Sequence, residues 1–373
     1  MARRARSASL SVLVILLTIG FFVGNGVVSA KEGKGSVRYN LYFGDLHTHT
    51  TYSDAWEGTP WDAFAAATAA GADFMATTDH DSYGYWISSE EWTDTLAAAE
   101  FYTTNTFVAM PGYELWIACA GEINVFNTPS FPPVPKDPDQ RPVPGCGGSY
   151  TEVLPAFYDW LAKEPGAVGQ WNHPTYVTNN FHNFAFSSEE RDVGMGIIEV
   201  WNWKYTEDSY VLALDRGWHV MPSANSDTHN PDWISGSEVR TVLLAPRLTP
   251  ENLYEAMGAG RGYATLDKNL RISYTLNDAV MGSILPPSGS RYTARIHVED
   301  PDRSLEDEIT LVEIISDGGQ VVASVPVRGT AVDVTVELTS LGARYFYVRI
   351  GTASNHEGAP GVTAWTAPVW TGR

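Results

Sequence analysis

Five of the nine histidines, and at least four carboxylates, stand where a short apolar run gives way to a loop. His47-Thr48-His49 follows the run Tyr42–Leu46, and Asp79-His80 follows Phe74–Thr77. Glu114 comes after the run Thr106–Met110, and Glu122 opens the short run Ile123–Phe126. His173 follows Ala167–Trp171, and Asp227-Thr228-His229 follows His219–Pro222. Gly196–Val200 and Val239–Leu244 are further runs of this kind. Helical stretches lie between them. Thr59 is placed to cap a helix opened by Pro60 and closed by Gly71. Glu90–Tyr102 is a second helix, Ser149 and Glu152 open a third towards Lys163, and Thr249-Pro250-Glu251 opens a last one ending at Met257. Strands alternating with helices imply parallel strands joined by crossovers. The ends of such strands open on one face, where sites are built. The spacing therefore predicts an α/β chain with a barrel of seven or eight strands, and chemistry gathered at one end of it.

Composition narrows the function. Residues 1–30 hold Arg3, Arg4 and Arg6 and no acid, so the remainder carries 21 basic residues against 44 acidic ones. Such a chain repels a nucleic acid backbone and anionic lipid, and no nucleic acid partner is expected. Two cysteines exclude a disulfide-rich scaffold and a four-thiolate zinc site. The apolar run Leu10–Val23 behind the arginines, then Val28-Ser29-Ala30, reads as a secretory signal cut after Ala30. The mature chain then starts at Lys31, works outside the cytoplasm (secreted or periplasmic) and keeps no membrane span. Cys119 and Cys146 could pair there or remain buried thiols. Oligomeric state is not written in the sequence.

The texture changes after Leu266. Leu270–Leu276, Tyr292–Val298, Ile309–Ile315, Val321–Val325, Ala331–Val336 and Tyr345–Ile350 are short, β-branched runs separated by turn residues. They suggest a small antiparallel sandwich. The division expected is 1–30 signal, 31–266 barrel and 267–373 accessory β-sandwich. No metal ligand or nucleophile is expected in the sandwich, with Lys268 the residue nearest the barrel rim. Segment 127–148, with seven prolines and three glycines, reads as a long loop.

Alone, each polar residue has an ordinary explanation. An H-x-H pair is often structural, Asp79-His80 could be a strand-end hydrogen-bond pair, and Asp227 and His229 could cap a turn. Their joint fall at successive strand ends points instead to metal. On an extended chain His47 and His49 face the same way. A His/Asp/Glu set without Cys suits zinc, manganese or iron. His182, His219, His297 and His356 lack that placement and read as surface or structural.

Gly44-Asp45-Leu46-His47-Thr48-His49-Thr50, Tyr52-Ser53-Asp54, Thr78-Asp79-His80, Gly112-Tyr113-Glu114, Asn172-His173-Pro174 and Ser226-Asp227-Thr228-His229 resemble, in order, the motifs of the PHP (polymerase and histidinol phosphatase) superfamily. The resemblance covers about residues 40–265. The tail segments Arg261–Thr265, Asp267-Lys268-Asn269, Met281-Gly282-Ser283 and Ala364–Trp370 are similar to a secreted carbaryl-hydrolase-like branch. The resemblance implies a distorted (β/α)7 barrel holding two or three divalent ions. Carried over by position, His47, His49, Glu114 and Asp227 would hold a first ion. Glu114 would bridge to a second shared with His173, and Asp54, His80 and His229 would hold a third. Gly121-Glu122-Ile123-Asn124 departs from the family's Gly-His-x-Asn, so Glu122 stands where a histidine is usual. A carboxylate there favours manganese or iron over zinc.

Such a cluster would generate hydroxide near neutral pH and stabilise charge on the oxygen under attack. Asp227, His229, Glu114 and His173 are the candidates for the catalytic work. Hydrolysis of a small-molecule phosphate ester is the leading expectation, and a carbamate or carboxylic ester the runner-up. A phosphate monoester wants cations, for which Lys204, Arg240, Arg261 and Lys268 are candidates. An apolar carbamate wants aromatic walls, for which Tyr83, Tyr85, Trp86, Trp116, Trp171, Trp201 and Trp203 are candidates. A secreted glycan-binding or adhesion module stabilised by metal is the alternative of a different class. There is no G-x-S-x-G, P-loop or dinucleotide fingerprint.

Overall fold

The structure is a computed structural model that describes residues 27–32, 35–81, 87–117, 120–129, 131–132, 150–174, 180–287, 289–339, 342–354, 356, 359 and 361–372. Cys119, Cys146 and most of segment 127–148 lie outside these residues, as do residues 1–26 of the expected signal.

The chain is a mixed α/β fold, mostly sheet. In its first part the strands are β1 (Val27–Glu32), β2 (Gly35–Asp45), β3 (Phe74–His80), β4 (Val108–Ile117), β5 (Gly121–Phe126), β6 (Val168–Trp171), β7 (Met195–Asn202), β8 (Lys204–Tyr205), β9 (Met221–Ala224), β10 (Arg240–Ala245) and β11 (Gly262–Thr265). The helices are α1 (Pro60–Ala69), α2 (Ser89–Tyr102), α3 (Tyr150–Leu161), α4 (Asn180–Asn183), α5 (Glu189–Asp192), α6 (Glu207–Asp215) and α7 (Pro250–Gly258). Thr59, Pro60 and Asp62 start α1 as expected, with the Thr59–Asp62 capping box formed. α4 is a helix in name only, because Phe181 and His182 lie in the left-handed region.

β2, β3 and β4 are parallel, and so are β6, β7 and β9. Two of the expected strands, β5 and β10, depart from the parallel order. β5 pairs antiparallel with both β4 and β6, because three residues between Ile117 and Gly121 allow a hairpin and no crossover. β10 runs antiparallel to β2, and β11 antiparallel to β10. Hydrophobic periodicity carries no information about strand direction, so the sequence could not separate these from their neighbours. Gly44 permits the close approach of β2 to β3: a Cβ there would lie 2.2 Å from the Phe74 carbonyl oxygen.

The continuation of β2 also reaches β9. Asp227 N donates to His47 O and His49 N to Thr228 O, both at 3.0 Å. Thr241 Oγ1 of β10 accepts from Ala224 N at 3.1 Å and bonds Ala224 O at 3.2 Å, bridging β9 to β10.

The tail adds β12 (Arg271–Leu276), β13 (Ala279–Val280), β14 (Arg291–Glu299), β15 (Ile309–Ser316), β16 (Gln320–Gly329), β17 (Ala331–Thr339), β18 (Tyr345–Thr352), β19 (Ala364–Thr366) and β20 (Val369–Trp370). Its strand pairs are antiparallel. β13, β12, β14 and β17 form a separate four-stranded sheet. β16, β15, β18 and β19 extend the larger sheet through the pairing of β19 with β11. Alternating burial along β14 and β17 places Ala294, Ile296, Val334 and Val336 in a core shared with Val312, Ile314, Val348 and Ile350. That core continues into Phe74, Val108 and Val242 of the first part. The two parts are therefore packed through one apolar body, while a second cluster around Trp171, Trp218 and Tyr158 fills the space under β6 and β7.

Candidate metal centre

The strand that exits β2 is gripped on both sides. Thr78 N donates to Thr48 O at 2.8 Å, and the bonds to Asp227 and Thr228 hold the other edge. Thr48 Oγ1 donates to Ala76 O at 2.7 Å, taking the intervening side chain the other way. His47 and His49 are left pointing together, fully buried, with ring centroids 5.2 Å apart. Two further residues of the cluster sit on left-handed backbone, His173 at φ 27° and Asp227 at φ 50°. Residues with a Cβ rarely adopt that conformation, and their surroundings must impose it.

All nine residues expected at the site are brought together. His47 Nε2 lies 3.2 Å from Glu114 Oε1 and 3.2 Å from Asp227 Oδ1. His49 Nε2 lies 3.0 Å from Asp227 Oδ1 and 3.5 Å from Glu114 Oε2. His80 Nδ1 is 2.9 Å from Glu114 Oε2. Asp54 faces His229 Nε2 at 3.1 Å and His80 Nε2 at 3.6 Å. Glu122 Oε2 is 3.1 Å from His173 Nε2 and so turns into the cluster. Ligand atoms of His49, Asp54, His80 and His229 fall within 4.8 Å of one another, as do those of His47, His49 and Glu114. The same holds for His47, His173 and Asp227, and for His80, Glu114 and Glu122.

A second tier of polar groups fixes these ligands. Glu199 is the residue that sequence reasoning missed. Its carboxylate takes His47 Nδ1 at 2.9 Å, His173 N at 2.6 Å, Asn225 Nδ2 at 2.8 Å and Asn202 Nδ2 at 3.0 Å. Bonding Nδ1 to a carboxylate leaves Nε2 to face Glu114 and Asp227. The available signal was a lone acid inside the apolar run Gly196–Val200, since a charge in a buried strand needs partners. Asn172 Nδ2 donates to Glu114 Oε1 at 2.6 Å and to Asn124 Oδ1 at 2.8 Å. Asp79 accepts from Thr50 N, Thr50 Oγ1 and Ser53 Oγ, shaping the loop that presents Asp54. Asp45 accepts from His47 N and Ser226 N, and burial pushes its carboxyl up to about 6.

Electrostatics follow from burial opposed by neighbours of opposite charge. Burial disfavours the charged form of His47, but Asp227, Glu114 and Glu199 outweigh it and hold the imidazole well above its usual pKa. His80 and His173 are raised in the same way by Glu114 and its neighbours. Burial acts against Glu114 and Asp227 too, yet the imidazoles around them hold both carboxylates below the ordinary range. His49 goes the other way: its burial and the nearby His80 lower it.

Asp54, His80, Glu114, Glu122, His173, Asp227 and His229 line an open cavity of about 410 Å³. A second cavity of about 450 Å³ is lined by Trp201, Trp203, Asn225, Ser226, Thr228 and Asp232, among others. The other side chains weighed for substrate contact lie elsewhere. Arg240 donates to the carbonyls of Ile234, Ser237 and Val239. Arg261 pairs with Glu255 and lies over the Tyr39 ring. Lys268 pairs with Glu238 and Asp302. Lys204 is exposed on β8 and lines neither cavity. Trp171 is core, edge-on to Trp218, and Trp116 is half-buried on β4. Tyr83, Tyr85 and Trp86 lie outside the described residues. His219 bonds Asp192, His297 bonds Asp333, and His182 stacks on Phe186.

No family model and no curated protein matches the chain. Among solved structures, it is similar to a two-domain protein from Bacteroides vulgatus containing a predicted PHP-like metal-dependent phosphoesterase. That similarity has 17% identity and a TM-score of 0.46, over 89% of this chain and 96% of the other. It is also similar to an amidohydrolase from Chromobacterium violaceum determined with bound sulfate and no metal. There the identity is 18% and the TM-score 0.33, over 50% of this chain and 87% of the other.

Proposed function

We propose that the chain is a metal-dependent hydrolase of ester bonds, with phosphate esters as the leading substrate class. The observation that carries this reading is a set of buried atoms that face one another at ion-pair distance without forming a hydrogen bond among the described residues: His47 Nε2, His49 Nε2, Glu114 Oε2 and Asp227 Oδ1. Buried polar atoms are rarely left so, and here four converge from the ends of β2 and β9 and from within β4. Imidazole and carboxylate are the donors that zinc, manganese and iron accept, so the residues fit such ions. His47, His49, Glu114 and Asp227 would hold a first ion, Glu114, Glu122 and His173 a second, and Asp54, His80 and His229 a third. Divalent ions there would acidify water and offset charge growing on the oxygen under attack. Glu199 and Asn172 fix the orientation of His47 and Glu114. His173 and His229, with side chains 27% and 31% exposed, are the imidazoles that reach the substrate side of the cavity.

A second reading, hydrolysis of a carbamate or carboxylic ester, is favoured by one feature of the pockets. Among the described residues no Lys or Arg lines either cavity, and Trp201 and Trp203 offer an aromatic wall beside the cluster. Metal analysis joined to a screen of phosphate mono- and diesters, carboxylic esters and carbamates separates these readings. Activity on none of them, with polymer binding retained by the metal-free chain, would leave the adhesion alternative.

The β2–β9 and β9–β10 hydrogen bonds support reading residues 31–266 as a distorted PHP-type barrel, and the two antiparallel sheets support a sandwich after residue 266. Export and cleavage after Ala30 remain part of the proposal. The motivation is the N-terminal sequence itself, and such a cut would leave only Lys31 and Glu32 of β1. N-terminal sequencing of secreted protein that finds Met1 would overturn it. Among the described residues no helix is long and apolar enough to cross a membrane.

A further inference from the structure

Asp267, Asp300 and Asp307 bring carboxylate oxygens within 4.8 Å of one another, far in sequence from the histidine cluster. Asp267 follows β11, Asp300 directly follows β14, and Asp307 stands just before β15. None of the three has an ion-pair partner among the described residues. The neighbouring cation, Lys268, spends its ammonium on Asp302 at 3.4 Å and Glu238 at 3.6 Å.

Aspartates clustered at a surface mean little, but Asp300 is not at the surface. It is fully buried; Oδ1 accepts from Asp302 N at 2.9 Å, while Oδ2 has no partner among the described residues. A buried carboxylate oxygen left bare beside two more carboxylates is costly unless something positive sits there. Asn269 adds another buried oxygen, Oδ1, without a partner, while its Nδ2 donates to Asp302. Asp267 Oδ1 accepts from Asn269 N and Leu270 N, which orders the loop around its carboxylate. Burial and mutual repulsion raise Asp267, and push Asp300 up to about 7.

We propose that Asp267, Asp300 and Asp307, with Asn269 beside them, form a calcium site that ties the exit of β11 to the β14–β15 connection. The donors are oxygens only, which suits a hard cation and not zinc. Calcium takes six to eight oxygens in flexible geometry and so accepts carboxylates from separate loops, whereas magnesium demands a near-ideal octahedron and keeps most of its water. The site joins the loop that leaves the metal-centre part to a loop of the tail, so its role is a clamp between them. It places metal ligands in the tail, against the sequence-based expectation of none, and gives them no part in hydrolysis.

The full-length chain, stripped with chelator, reloaded with manganese and freed of excess, is titrated with calcium while thermal unfolding is followed. The expected result is a single calcium equivalent binding more tightly than about 1 mM, with a rise in Tm. Asp307→Asn is expected to weaken calcium binding at least about tenfold and abolish the calcium-dependent rise in Tm, with manganese content unchanged. Asp300→Asn should do the same; if it fails to fold, the wild-type titration and Asp307→Asn decide. Asp227→Asn should keep the calcium equivalent. The proposal is overturned by no calcium uptake at millimolar concentration, by undiminished uptake in Asp307→Asn, by loss of the equivalent in Asp227→Asn, or by magnesium competing on equal terms.

Discussion

The molecule holds two groups of carboxylates, one buried and one partly buried, that differ in their company. Glu114 and Asp227 sit among imidazoles, and both carboxylates are held below their ordinary pKa. Asp267 and Asp300 sit among other acids and are raised. Burial pushes all four upward, so the sign of the neighbours decides the outcome. The first group can stay folded as a network of imidazolium and carboxylate pairs, with protons standing in for metal. The second has no imidazole to pair with, and without a cation it must share protons among its own carboxyls. Mixed nitrogen and oxygen donors with an open cavity suit chemistry on a substrate, and oxygen donors between two loops suit a clamp.

The comparison breaks if the two groups respond alike to substitution. Asp227→Asn, between His47 and His49, is expected to lower hydrolysis by roughly three orders of magnitude or more while circular dichroism and solubility stay native. Asp307→Asn should leave hydrolysis within about twofold. A comparable loss in both would mean that the tail site belongs to the active centre.

The next effect concerns Glu199. Glu199→Gln keeps size but removes the charge that orients His47, and is expected to weaken binding of manganese or zinc by about 10–100-fold. Equilibrium dialysis measures it, and unchanged affinity would reduce Glu199 to a packing residue.

Proton release sharpens the contrast further. In the metal-free chain His47, His80 and His173 have raised pKa values, so near neutral pH they hold protons that a divalent ion must displace. Affinity at this centre should therefore fall by about tenfold or more for each unit of pH lost below neutrality. Calorimetry in buffers of different ionisation enthalpy should register protons released per ion bound. A pH-independent affinity would contradict the protonated network.

Smaller effects test the frame. Thr241→Val removes the hydroxyl that bridges Ala224 N, Ala224 O and Asn225 Oδ1. It should cost about 1–3 kcal/mol in urea unfolding, because a buried N–H loses its acceptor. Glu122→His should move metal preference toward zinc and shift the acidic limb of the pH–rate profile downward, by a fraction of a unit. Unchanged metal content and an unchanged profile would show that the Glu122 carboxylate has no hold on the ion.

Much of the centre could be read from the sequence because strand ends are legible. His47-Thr48-His49, Asp79-His80 and Asp227-Thr228-His229 each follow an apolar run, and a parallel strand delivers its end to a common face. Glu199 was not legible, because its importance comes from His47 and Asn225, which are distant in sequence and adjacent only after folding. The same holds for the tail aspartates: Asp267 belongs to a recognisable segment, but Asp300 and Asp307 look like ordinary turn residues. Strand direction was misread at β5 and β10, since alternation is the same up or down a sheet, and β11 was not read as a strand at all. β19 is three residues long, too short for a periodic signal, yet it joins the tail to the larger sheet. Helix α6 has little amphipathic contrast and buries Glu207 along with Tyr210 and Leu214, so its pattern did not stand out.

The most direct test of the account is the divalent metal content of the purified full-length chain, measured beside its hydrolytic activity before and after chelation. The account predicts two or three zinc, manganese or iron ions per chain, loss of hydrolysis when they are stripped, and recovery when one of these metals is returned. A folded chain that carries none of these ions when supplied with them, or that hydrolyses ester substrates unchanged after their removal, would contradict it.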